Sequence, residues 1–170
     1  MQHYGLPTRL LDWSWSPLVA AYFATEAGWT DPGGTHGDAA IWALAPGRLN
    51  GDQGFHPYLF VLDNLTVRPL LEPAFKGGRP EPGVVVAAMT VERDVRHLVQ
   101  QTAFTVHSSR VPLDRLPGAS DWLVKVVIPG AAVPRIAFEA HRTGFTRGNL
   151  FPDLASLATQ LREELPPSKP

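Results

Sequence analysis

The chain reads as a single α+β domain, a mixed sheet of short strands with inserted helices and a helical C-terminal end. Three observations predict that class. Short apolar runs rich in β-branched and aromatic residues recur between turn residues, as strands require. Other stretches carry apolar residues at helical spacing. The 17 prolines and 15 glycines gather mainly between these periodic segments, where reversals need them.

Thr8 to Trp13 predicts a first strand, with Leu10 and Asp12 on one face and Arg9, Leu11 and Trp13 on the other. A helix follows almost at once. Ser16 suits its N-cap, Pro17 its first position and Gly28 its far end. Leu18 to Ala24 is apolar nearly all round, which predicts a buried helix. Ala39 to Leu44, Tyr58 to Leu62 and Val84 to Met89 predict strands. Glu92 to Gln101 carries Val95, Leu98 and Val99 at helical spacing. Phe104 to His107 and Trp122 to Ile128 complete the strands. Pro134 to Arg142 reads as a helix stopped by Gly144. The last helix, about Asp153 to Leu165, is expected to bury Leu154, Leu157, Ala158, Leu161 and Leu165 on one stripe. Gly28 to Asp38, Pro46 to Pro57, Pro69 to Gly83 and Pro112 to Gly118 read as irregular connections, and long loops often cover a site.

Composition narrows the function. With 170 residues, 44% hydrophobic, the chain can build a real core. Its 15 basic and 16 acidic residues leave a net charge of −1, so no bulk field recruits nucleic acid or an anionic membrane. The absence of cysteine excludes disulfides, thiolate catalysis and cysteine-ligated metals, and fits a reducing cytoplasm. No run of about 18 apolar residues could span a bilayer, and no signal peptide is evident. The expectation is a soluble cytoplasmic protein. Six histidines, at 3, 36, 56, 97, 107 and 141, lack metal-ligand spacing. No P-loop, G-x-G-x-x-G or G-x-S-x-G motif is present.

One string stands apart. Gln2-His3-Tyr4-Gly5-Leu6-Pro7-Thr8-Arg9-Leu10-Leu11-Asp12-Trp13-Ser14, running into Ser16-Pro17-Leu18-Val19-Ala20-Ala21-Tyr22-Phe23-Ala24, resembles the hallmark segment of the FRG domain family. Gln100-Gln101-Thr102-Ala103-Phe104-Thr105 and Leu150-Phe151-Pro152-Asp153-Leu154 extend the resemblance in order and spacing. Thr102 stands where the family pattern usually has glycine, and Ala155-Ser156 where it continues Asp-Gly. The naming Phe-Arg-Gly motif is expected upstream. The resemblance therefore implies an FRG domain over residues 1–165, lacking its N-terminal segment, with a disordered tail over 166–170. Apolar surface around Leu10 or Val19 would then be left exposed.

The strand-to-helix junction after Asp12 is the first candidate site. A helix N-terminus offers unpaired N–H groups and partial positive charge, so Ser14, Ser16 and the first-turn amides could cradle a phosphate. Arg9 could add a fork, although alternation points it away from Asp12. Asp12 could orient His3 or bond a ribose hydroxyl; the alternative is that Asp12 and Ser16 only cap the helix. His3 beside Asp12 suits acid–base work. Tyr4 and Tyr22 could stack on a base, or simply pack. Gln100 and Gln101 could bind a ribose or base edge but cannot act as a base; the alternative is capping their helix. Phe151, Pro152 and Asp153 read as an apolar anchor and an N-cap.

By analogy of layout, not by a shared motif, the order of these segments is also similar to that of the ADP-ribosyltransferase superfamily. There an arginine or histidine on one strand holds NAD, a strand-plus-helix packs against it, and a Glu or Gln loop precedes a later strand. Asp12-Trp13-Ser14, the Tyr22 helix and Gln101 before Phe104 fall in similar order. The implied site joins His3, Asp12 and Gln101 as catalytic residues with Tyr4, Arg9, Ser14, Tyr22 and Gln100 around a nucleotide, NAD being the cofactor implied, with no metal. Gln101 stands where a catalytic glutamate is often found. The alternative is a non-catalytic sensor module that recognises a nucleotide or a protein in a bacterial stress or defence system.

Overall fold

The computed structural model describes residues 8–71, 83–90 and 94–165, apart from the side chain of Glu163. The chain is mixed α+β and divides into two compact units, each assembled from three stretches. One comprises Met1–Trp13, Trp42–Val91 and Thr102–Val124; the other Ser14–Ile41, Glu92–Gln101 and Lys125–Pro170. The elements are β1 (Leu10–Ser14), α1 (Pro17–Thr30), β2 (Ala39–Leu44), α2 (Pro46–Asp52), β3 (Phe60–Val61), α3 (Arg68–Leu71), β4 (Val85–Met89), α4 (Val95–Val99), β5 (Thr102–His107), β6 (Leu123–Ile128), α5 (Val133–Arg142), α6 (Arg147–Leu150) and α7 (Leu154–Glu164).

The first unit is built on a four-stranded sheet in the order β1-β5-β4-β3. β4 runs antiparallel to β5, with Ala87 opposite Thr105, and parallel to β3, with Phe60 opposite Ala88. Both faces of β4 are covered. Val85 and Ala87 join Leu49, Leu113, Leu116 and Trp122, while Val86 and Ala88 join Phe60, Val67, Leu70 and Val106. That is why β4 reads as an unbroken apolar run rather than an alternation. β1 follows the same logic, Leu10 packing on the second cluster and Trp13 on the first.

The β3 side of β4 is finished by a helix. β3 reaches β4 only at Ala88 and Met89. Beyond it, Asn50 of α2, fully buried, accepts from the Ala87 N–H at 2.7 Å and donates to the Ala87 carbonyl at 3.0 Å and the Tyr58 carbonyl at 2.7 Å. One helical turn on, Gln53 Oε1 accepts from the Val85 N–H at 3.1 Å. Side-chain amides thus do for Val85 and Ala87 what a longer β3 would do, so buried backbone groups are not left unpaired. The sequence reading placed Pro46 to Pro57 in a loop. Gly47 and Gly51 favour that reading, but tertiary packing of Leu49 and Asn50 outweighs them.

The second unit packs α1 along α5. Ser16 caps α1 as expected, its Oγ accepting from the Val19 N–H at 3.3 Å. Gly28 does not stop the helix, which runs on to Thr30. Its role is close approach: a Cβ there would lie 2.9 Å from the Pro134 backbone. The helix is also not buried all round. Val19, Tyr22, Thr25 and Gly28 form the inner stripe, while Leu18 is 46% and Phe23 47% exposed. Nor does Val19 lie on bare surface. It is buried against Tyr22 and Leu150.

The last helix overturns a larger expectation. Leu154 is 85% exposed and Leu165 66%, with Leu157, Ala158 and Leu161 also exposed. The polar side faces inward instead: Ser156 is buried, and Gln160 Oε1 accepts from the Gly148 N–H at 2.7 Å. Asp153 does cap α7, accepting from the Ser156 N–H at 2.8 Å. β2 and β6 pair as a separate two-stranded sheet.

Candidate functional site

Three stretches singled out in the sequence meet in the second unit. The Ser14 hydroxyl donates to the Gln100 carbonyl at 2.7 Å and accepts from the Ser16 N–H at 3.0 Å. The Trp15 N–H donates to the Gln101 carbonyl at 3.0 Å. The Gln100 side chain donates through Nε2 to the Leu150 carbonyl at 2.9 Å. Segments far apart in the chain are therefore stitched together by backbone carbonyls. Ser14 and Gln100 serve this join. Ser14 Oγ also takes the amide of Ser16, the N-cap, and Ser16 Oγ that of Val19 in the first turn of α1, while Pro17 has none to offer.

Gln101 is different. Its φ is 49°, and among the described residues no other non-glycine has positive φ. Such a conformation costs about 1–3 kcal/mol and gathers at functional positions. It is clamped from both ends, its N–H donating to the Leu98 carbonyl at 3.1 Å and its own carbonyl accepting from Trp15. Its side chain is exposed and carries no hydrogen bond. Trp15 beside it is 54% exposed. The sequence reading passed over Trp15. Its position immediately before the N-cap gave no signal of exposure, since an apolar residue there commonly packs against the first turn of the helix.

Tyr22 lies buried on α1, and its hydroxyl bonds Glu26 at 3.2 Å. Glu26 also holds Arg147 at 3.0 Å. Phe23 meets the edge of Phe151 at 5.8 Å, and the guanidiniums of Arg96 and Arg147 lie 4.5 and 5.7 Å from the Phe151 ring centre, within cation–π range. The Asp153 carboxyl is held below its ordinary pKa, first by hydrogen bonds from Ser156, with the charge of Arg96 adding to the effect.

Of the other sequence candidates, Arg9 and Asp12 belong to the first unit, Asp12 exposed and both with bonding partners. His3 and Tyr4 lie outside the described residues, as does the tail over 166–170. The first unit has its own groove of about 620 Å³ between Gly47, Gly51, Pro57 and Trp122; none of the candidate residues lines it. Among the described residues, no three His, Asp or Glu side chains are grouped to hold a metal, and no helix is long and apolar enough to cross a membrane.

Architecture and site define an α+β protein whose N-terminal strand-to-helix junction is joined to a glutamine turn. Residues 1–31, the stretch that includes β1 and α1, match the family model of the FRG domain. The glutamine turn and Phe151 fall beyond the matched residues, yet the turn bonds Ser14 and Trp15, and Phe151 meets Phe23, all three within them. No curated protein and no solved structure matches the chain.

Proposed function

We propose that the protein is a non-catalytic recognition module that binds a nucleotide through the corner formed by Trp15 and Gln101. The strained, clamped backbone of Gln101 carries this reading, because it holds an exposed, unbonded amide on the residue whose carbonyl is bonded by the backbone of the exposed Trp15. An amide can read the donor and acceptor edge of a base or a ribose hydroxyl, and an indole supplies a stacking face. Two of the amides at the start of α1, those of Ser16 and Val19, are taken by Ser14 and Ser16, and Pro17 has none, which shifts the weight of recognition toward base and ribose rather than phosphate. The NAD-dependent transferase reading, drawn by analogy of layout, gains less support, since a glutamine side chain cannot take or give up a proton near neutral pH.

Calorimetric titration with NAD, ADP-ribose and ATP tests the proposal. Binding is expected to fall at least tenfold in Trp15→Ala and in Gln101→Ala. NAD consumption by the wild-type protein would return the reading to a transferase. Absence of nucleotide binding would leave the second reading, a protein-recognition module. One observation favours that second reading: the leucine stripe of α7 faces outward, and contiguous apolar surface of this kind marks protein contacts.

A further inference from the structure

We propose that the chain of side chains Trp13–Thr105–His107 is an acid-sensitive latch that holds strand β1 on the sheet and loosens it when His107 takes up a proton. Thr105 is fully buried. Its Oγ lies 3.0 Å from Trp13 Nε1 and 2.8 Å from His107 Nε2. The indole N–H can only donate, so Thr105 Oγ accepts from Trp13. The threonine hydroxyl hydrogen then has one acceptor within reach, the His107 Nε2 lone pair. That assignment fixes His107 as neutral, with its proton on Nδ1. The latch runs in one direction, indole to hydroxyl to imidazole.

Protonation breaks the sequence. An Nε2–H would point a second donor at Thr105 Oγ and leave the hydroxyl hydrogen without an acceptor in a site closed to water, which buried polar groups tolerate poorly. Relief requires Thr105 to rotate and give up Trp13. β1 is also tied to the sheet here, by the His107 N–H donating to the Arg9 carbonyl at 2.8 Å, so the anchor and the backbone ladder loosen together.

Among the described residues, the charged groups on the elements about β5 are few. β1 and its approach bring Arg9 and Asp12, and β4 brings none. α2 brings Arg48 and Asp52, and α3 Arg68. The segment from 110 to 121 brings Arg110, Asp114, Arg115 and Asp121. None of them dominates; burial alone pulls the His107 pKa down. Asp12 lies on β1 and Arg9 immediately before it, so the latch governs the placement of two residues that the sequence singled out.

Hydrogen exchange of the His107 amide, which reports its bond to Arg9, tests the latch. In the wild-type protein its protection factor is expected to fall about tenfold or more between about pH 7 and pH 4, because burial moves the titration of this ring below the ordinary imidazole range. The Ala87 amide, held by Asn50, should not follow. His107→Gln keeps an acceptor for Thr105 without a titrating ring, and its protection should stay flat. Unchanged protection in the wild type, or an equal fall in His107→Gln, overturns the proposal. Should that variant fail to fold, the nitrogen shifts of the wild-type ring decide. Nε2 must be unprotonated at neutral pH, and a proton found there refutes the latch.

Discussion

Replacing Asn50 with leucine probes the edge of β4 directly. The substitution removes three hydrogen bonds, two to Ala87 and one to the Tyr58 carbonyl, with Asn50 and Ala87 both shielded from water. Each of the three backbone groups left unpaired costs about 1–2 kcal/mol, the lower part of the range for an orphaned buried polar group. The expected loss is about 3–6 kcal/mol before repacking, of which burial of the new side chain returns about 1–2 kcal/mol. A net loss of about 3 kcal/mol is a large part of the 5–15 kcal/mol typical of a folded domain. With a urea slope of about 2 kcal/mol per molar, the unfolding midpoint followed by tryptophan fluorescence should drop by about 1.5 M. Asn50→Asp should be at least as damaging at neutral pH, because its second oxygen would face two carbonyls. Burial there raises the folded carboxyl's pKa, so the protonated acid's stability is present at low pH and lost as pH rises through that value. A midpoint shift below about 0.5 M in Asn50→Leu would refute the claim that α2 completes the sheet.

Three further outcomes follow from bonds and contacts described above. Ser16→Ala should cost about 1 kcal/mol as a lost cap, and Ser14→Ala at least as much, because Ser14 donates to Gln100 and accepts from Ser16; urea unfolding of both variants compares them. Gly28→Ala drives a methyl group to within 2.9 Å of the Pro134 backbone and should lower stability by about 1–3 kcal/mol, where an ordinary helix site would gain from alanine; thermal unfolding gives the sign. Gln101→Gly relieves the left-handed strain and should stabilise by about 1 kcal/mol while weakening nucleotide binding, and a loss of stability would mean that the Gln101 side chain has a structural role.

Local signals carried much of the fold. The cap at Ser16, the proline at position 17 and the turn at Gly144 act through their own backbone, so each strand or helix beside them could be placed from sequence. What failed depended on distant partners. α2 contains two glycines and has weak local preference, and only the need of β4 for hydrogen bonds makes it a helix. Gly28 resembles a helix stop unless Pro134 is known to lie against it. The leucines of α7 have the spacing of a core stripe, yet Gly148 draws Gln160 inward and turns them out. The site was legible in the same uneven way. Ser14, Gln100 and Gln101 were singled out, but their division into two fasteners and one exposed amide came from long-range bonds. Trp15 was missed because a tryptophan before a cap reads as packing.

The amide that finishes the sheet is also followed by Gly51, and this couples the protein's lifetime to its breathing. A glycine nitrogen is the least hindered nucleophile for the preceding asparagine's side-chain carbonyl; attack expels ammonia, and the resulting ring hydrolyses to aspartate or isoaspartate. In the folded unit Asn50 is held by Ala87 and Tyr58 and cannot turn toward that nitrogen. Each time the unit opens, the restraint is lifted. A molecule that reacts while open returns with a carboxylate, or a displaced backbone, where β4 needs a donor, and the damage is irreversible. Ageing of this protein should therefore follow how often α2 leaves the sheet, and ligands or conditions that keep it seated should slow the clock.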